Sequence, residues 1–146
     1  MTAELLESAE EFFIEGFVDD RYSKDSYIGY PYLGDLNWLM QNSKTHSNVV
    51  IALGSAEHRI NVYNKIKESN FNYPILIHPS VIISKRCEVG RGSIILPGCV
   101  ICGRSKIGEF SFLNCGSIVE HDVIVESFSS LGLGTMVKSF ATFSQK

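Results

Sequence analysis

The chain has no apolar run approaching the length that spans a bilayer and no block of Lys or Arg, and its first segment, TAELLESAEEFF, is acidic where a secretory leader would be basic. Membrane insertion is therefore not expected, and a cytoplasmic location is. A formal net charge of −3 gives no electrostatic footing for nucleic acid. Cysteine is scarce too, with four in 146 residues, and cytosolic thiols stay reduced. Cys99 and Cys102 form a C-x-x-C, but no helix N-terminus follows to activate a thiolate, so redox use is not expected. The nucleophile elbow of Ser/His/Asp hydrolases is missing as well.

What is present is a single register. From Ile77 in steps of six the residues are Ile77, Ile83, Val89, Ile95, Ile101, Ile107, Leu113, Val119, Val125, Leu131, Val137 and Phe143, with no polar interruption. With about half of a chain apolar, such a run arises by chance about once in four thousand trials. Two residues before each anchor, from Val81 onward, stands a small side chain: Val81, Cys87, Ser93, Cys99, Ser105, Ser111, Ser117, Val123, Ser129, Thr135 and Ala141. Side chains two apart on a strand face the same way, so each hexad turns one small and one larger apolar residue inward and spends the rest on a corner. A fixed hexapeptide period predicts a parallel β-helix, about four triangular coils of three hexads, each depending on its neighbours for burial. Cys87 and Cys99 then read as small core fillers. Zinc-dependent β-helix enzymes use three histidines, and the repeat offers only His78 and His121, so no metal is expected; His78 reads as a structural corner.

Ahead of the repeat the pattern changes. A helix is predicted over residues 2–11 with Thr2 as N-cap, then a strand from Phe12 to Val18 ending in Asp19 and Asp20, at the edge where ligands bind open α/β sheets. Asp35 is expected to cap a helix to Gln41 that carries a core Trp38. NVVIALGS reads as a buried parallel strand. A helix over residues 56–69 would put Ile60, Tyr63 and Ile66 inward and Glu57, Arg59, Lys65 and Lys67 outward. YPILI closes the unit as its last strand, and His78–Pro79 marks the junction. The expected organisation is an α/β Rossmann-like unit over residues 1–76, lacking its first strand, then a β-helix over 77–146. The G-x-G-x-x-G loop that would meet phosphate at a helix N-terminus is missing along with that strand, so the expectation is either a unit shortened at its start or one that has lost its phosphate cradle.

Glu120, His121 and Asp122 form the richest polar corner, just after the inward Val119. A histidine beside a carboxylate has the ingredients of a general base; a surface histidine among charges is the plainer alternative. GFVDD, YPYLGD, VVIALGSAEHR, ILIHPSVIIS and LNCGSIVEHDVIV, in this order, resemble the PglD/NeuD family of sugar acyltransferases from about Leu5 to Gly134. The resemblance implies a left-handed β-helix, a homotrimer with sites between neighbouring helices, acetyl-CoA as co-substrate and a nucleotide-linked amino sugar as acceptor. It implies His121 as catalytic base and Asp122 as the acid supporting it. Asp19 and Asp20 would lie near the nucleoside, Ile51 and Gly54 would line the nucleotide-sugar site, and Asn114 would stand near the sugar. Ser130 replaces a second family histidine near the cofactor thioester. Four hexad anchors follow His121, fewer than in family members, which predicts a shortened acetyl-CoA groove. The runner-up expectation is a catalytically inactive trimeric scaffold, or a nucleotide-sugar-binding protein.

Overall fold

The computed structural model describes residues 2–8, 12–21, 26–45 and 47–144. From Leu76 onward the hexads build a parallel β-helix. Its first sheet contains Leu76–Ile77, Ile94–Ile95, Phe112–Leu113 and Ser130–Leu131. The second contains Ile82–Ile83, Val100–Ile101, Ile118–Val119 and Met136–Val137, and the third Glu88–Val89, Lys106–Ile107, Ile124–Val125 and Thr142–Phe143. Leu76 pairs with Ile94, Ile94 with Phe112 and Phe112 with Ser130, so three hexads close one coil. The anchors Ile95, Leu113 and Val119 are 0% exposed, and all twelve anchors pack in one core. The small slot favours serine for a reason that size alone does not give. Ser93 and Ser105 are buried, and each hydroxyl donates to a carbonyl fifteen residues on, at Gly108 and Glu120. The buried Ser111 and Ser117 hydroxyls lie closer to the carbonyls three residues back, Gly108 at 2.8 Å and Asn114 at 2.6 Å, than to those fifteen on, and the buried Ser129 hydroxyl has no hydrogen-bond partner among the described residues. At Ser93 and Ser105 the buried oxygen is thus satisfied by the next coil.

Every hexad from Gly92 to Phe140 also has one residue in the left-handed region, three before the anchor: Gly92, Gly98, Arg104, Phe110, Gly116, Asp122, Phe128, Gly134 and Phe140. A side chain there costs roughly 1–2 kcal/mol. Stacking between coils offsets that cost, since corner residues eighteen apart lie one above the other. Phe110 and Phe128 stack at 5.0 Å and 12°, and a Cβ on Gly92 would sit 2.5 Å from the Phe110 ring.

The N-terminal part holds α1 (Thr2–Ser8), β1 (Phe17–Val18), β2 (Ser26–Tyr27), β3 (Tyr30–Gly34), α2 (Leu36–Gln41) and α3 (Ala56–Ile66), the last followed by a 3-10 turn at Lys67–Ser69. Asp35 caps α2 as expected, accepting from the Trp38 N–H at 2.8 Å. The rest departs from the expected parallel unit in four ways. Thr2 lies inside α1 rather than capping it, and residues 9–11 of the expected helix fall outside the described residues. The Phe12–Val18 strand contracts to Phe17–Val18, pairing with a β3 whose Pro31 has no N–H to give, and β2 joins β3 antiparallel, so the sheet is mixed. NVVIALGS keeps only a bridge from Asn48 to Asn72; the next donor along that ladder would be the N–H of residue 74, which is Pro74. Leu76–Ile77 in YPILI is the first rung of the β-helix rather than the end of the α/β unit.

Arg59 is the largest correction. It was expected outward and is 1% exposed. The stripe that α3 turns toward the β-helix is Ala56, Arg59, Tyr63 and Ile66, spaced as one helix face. Leu36, Leu39, Ile51, Ile66, Phe71 and Tyr73 share one core with the corner residue Phe110. Leu5 packs on Leu76, Ile94, Leu96 and Phe112, which covers the outer face of the first sheet.

Candidate active site

His121 stands where the second sheet ends and its corner begins. Its Nδ1 lies 2.7 Å from Asp122 Oδ2, and its ring meets the Phe140 ring edge-on at 5.3 Å. Asp122 is one of the left-handed corner residues, φ 59°, which turns its carboxylate back across the corner. Arg104, one coil earlier in the same column, grips that carboxylate with two hydrogen bonds: Nε to Oδ1 at 2.7 Å and a terminal nitrogen to Oδ2 at 2.5 Å. The Arg104 fork, and secondarily the His121 hydrogen bond, hold the Asp122 carboxyl down at about 2. Asp122 is therefore ionised at neutral pH and acts only as an acceptor, so Nδ1 of His121 carries the shared proton, and in the neutral imidazole Nε2 is the acceptor. Glu120 turns away to Ser139, accepting from its N–H at 2.8 Å and its hydroxyl at 2.9 Å, and these bonds lower its pKa.

A second constellation lies at the junction of the two parts. The Arg59 guanidinium donates through Nε to the Phe110 carbonyl at 3.0 Å. Through one terminal nitrogen it reaches the carbonyls of Leu53 at 2.8 Å and Gly54 at 2.9 Å. Through the other it reaches the carbonyls of Phe128 at 2.8 Å and Ser129 at 3.2 Å, and the Ser130 hydroxyl at 2.8 Å. The Ser130 hydroxyl in turn donates to the Gly54 carbonyl at 3.2 Å. Burial lowers the Arg59 pKa, and peptide dipoles rather than a carboxylate hold the charge.

The expected site residues fall into separate places. Asp19 and Asp20 follow β1 directly and are exposed. Asp19 accepts from the Arg21 N–H at 2.7 Å; Asp20 accepts from the Leu36 N–H at 3.0 Å and lies 3.6 Å from Lys65, so its carboxylate is tied to the start of α2. Ile51 is buried, whereas a Cβ on Gly54 would meet nothing within 4 Å, so that backbone borders open space. Asn114 folds its side-chain oxygen onto the Cys115 N–H at 2.8 Å. His78 closes its own turn through Ser80, and His46 lies outside the described residues. Among the described residues no group of three His, Cys, Asp or Glu side chains could hold a metal, and no helix is long and apolar enough to cross a membrane.

Sequence reasoning missed Arg104, Arg59 and Phe140. Arg104 had a signal: eighteen residues separate it from Asp122, the coil repeat. The same spacing joins Glu88 to Lys106 and Arg91 to Glu109. Arg59 had none, because its partners are carbonyls that the register does not label.

Residues 1–66 match the family model of the PglD N-terminal domain. No curated protein matches the chain in sequence. Among solved structures, the chain resembles GDP-perosamine N-acetyl transferase from Caulobacter crescentus, a histidine-to-alanine mutant in complex with CoA and GDP-perosamine, with TM-score 0.84 and 25% identity over 91% of this chain and 63% of that one. It also resembles the acetyltransferase domain of PglB from Neisseria gonorrhoeae in complex with acetyl coenzyme A, with TM-score 0.85 and 23% identity over 96% of this chain and 77% of that one. The chain thus spans 63% of the length of the first of these, and it shares with both the left-handed β-helix fold.

Proposed function

We propose, for a chain that is PglD/NeuD-like and folded as an α/β unit on a left-handed β-helix, that it transfers an acetyl group from acetyl-CoA to a nucleotide-linked amino sugar. The observation that carries this reading is the His121–Asp122 pair on an exposed corner, its Nδ1 proton held by a carboxylate at 2.7 Å and its other nitrogen left to accept. The two similar structures bind CoA with GDP-perosamine and acetyl coenzyme A, respectively, which supports the same pair of ligand classes here.

In the mechanism, His121 Nε2 accepts a proton from the sugar amine as the amine nitrogen attacks the thioester carbonyl carbon. The carbonyl oxygen becomes an oxyanion, which donors fixed in the site stabilise. Collapse re-forms the carbonyl, breaks the carbon–sulfur bond and releases coenzyme A, whose sulfur takes up the proton. Asp122 fixes the tautomer and stabilises the imidazolium while the proton resides there. Asp19, Asp20, Ile51, Gly54 and Asn114 contribute to nucleotide-sugar binding. Ser130 ties the Gly54 segment to the coil next to it.

The reading includes a homotrimer in the cytoplasm. The outer face of the second sheet supports the assembly: Ile82 and Met136 are 68% and 55% exposed, with Val100 and Ile118 between them, and this apolar strip leads to the corner of His121. Neighbouring copies would bury it and enclose the corner. The test is to mix the protein with acetyl-CoA and a panel of GDP- and UDP-linked 4-amino sugars and follow free thiol. Sugar-dependent release is expected. Binding of the nucleotide sugar with no release would leave a scaffold in place of an enzyme.

A further inference from the structure

Arg104 and Asp122 occupy the same corner on successive coils, and both have left-handed backbone, φ 62° and 59°. Stacked in this way, their side chains meet as a bidentate pair, with the two nitrogens of the fork on the two carboxylate oxygens. Oδ2 is shared: it takes one Arg104 nitrogen and also faces His121 Nδ1 at 2.7 Å. A bidentate guanidinium fixes the carboxylate plane in a way a single hydrogen bond cannot. The charged groups around the imidazole are Asp122, which Arg104 grips in this column, and Glu120, just past the second-sheet strand and itself influenced by Lys138; the Phe140 ring, from the following coil, is apolar.

A carboxylate alone beside a histidine favours the imidazolium, and a histidine already protonated cannot accept a proton. A cation on the same carboxylate opposes that bias without removing the hydrogen bond that orients the ring. We propose that Arg104 is a positioning residue for the His121–Asp122 pair, clamping the carboxylate against the imidazole Nδ1 and offsetting the charge that would otherwise bias the ring toward the imidazolium. The catalytic consequence rests on the acetyl-transfer reading; the arrangement itself is testable without turnover.

The experiment uses the full chain as wild type, Arg104→Gln and Arg104→Lys. The His121 imidazole resonance, assigned by its loss in His121→Ala, is titrated by NMR, and kcat/KM is measured against pH. Arg104→Gln is expected to raise the titration midpoint by at least about half a unit and to carry the acid limb of kcat/KM upward with it. Arg104→Lys keeps the charge and loses the fork, so its midpoint stays close to that of wild type while kcat falls about tenfold through misorientation. A midpoint that is unchanged or lower in Arg104→Gln would overturn the proposal, as would full kcat in Arg104→Lys. If the midpoint rises as expected but wild type transfers no acetyl group, the clamp stands and the acetyl-transfer reading fails.

Discussion

Replacing Arg59 by leucine removes a side chain that hydrogen-bonds both the Leu53–Gly54 segment and three carbonyls of the β-helix. Of the five carbonyls that lose this donor, that of Ser129 keeps the Phe112 N–H at 2.9 Å and that of Gly54 keeps the Ser130 hydroxyl at 3.2 Å. Those of Leu53 and Phe128 lie where water can reach them in part, and that of Phe110, which accepts in a fully buried bond, is left stranded. A buried acceptor stranded in this way costs about 1–3 kcal/mol. Leucine recovers some apolar contact with Phe112, whose ring centroid lies 5.9 Å from the guanidinium carbon. A net loss of about 2 kcal/mol is expected, roughly 5 °C in melting temperature for a domain of this size. Arg59→Lys keeps the charge but has three donors against six contacts, and should lose about half as much. The assay is calorimetry together with hydrogen exchange. Amides of α3 should lose protection, while those of Leu113 and Val119 in the coil core keep theirs, because the latch opens without unwinding the helix. A leucine variant melting within about 2 °C of wild type would refute the role given to Arg59.

Other outcomes follow from the same geometry. The Asp122 carboxyl is lowered from its ordinary value near 3.8 to about 2, so its stabilising contribution is complete above about pH 4 and is lost as pH falls through about 2; the gap in melting temperature between wild type and Arg104→Gln should therefore close across that window. Gly108→Ala would drive a Cβ into the Ser127 nitrogen and to 2.7 Å from the Glu126 carbonyl carbon, both backbone, and should cost about 2–3 kcal/mol by urea unfolding. Gly54→Ala meets nothing within 4 Å, so it should melt like wild type and instead raise KM for the nucleotide sugar, with KM for acetyl-CoA unchanged.

The β-helix was legible because its rule is short. One side chain in six must be large and apolar, the side chain two before it must be small, and each coil repeats the demand, so twelve coincidences accumulate. His121 and Asp122 were legible as a polar corner, and the eighteen-residue coil then names Arg104 as the neighbour of Asp122. The α/β unit was less legible because its elements are short and its ladders fail at single residues. Pro74 halts the Asn48–Asn72 bridge, so an aliphatic run that reads as a strand supplies core side chains, Ile51 among them, without forming one. Arg59 misled the helical pattern because a charged residue on a buried stripe is expected to face water unless its partners are known, and here they come from corners fifty to seventy residues away in sequence.

The central claim is that the corner of His121 is where the acetyl group is transferred. Its most direct test is the single-turnover rate of acetyl transfer to the accepted nucleotide-linked amino sugar, compared between wild type and His121→Ala at matched ligand occupancy. A general base at this position predicts a loss of about 10²–10⁴-fold with melting temperature unchanged. Equal rates would place the chemistry elsewhere and contradict the account.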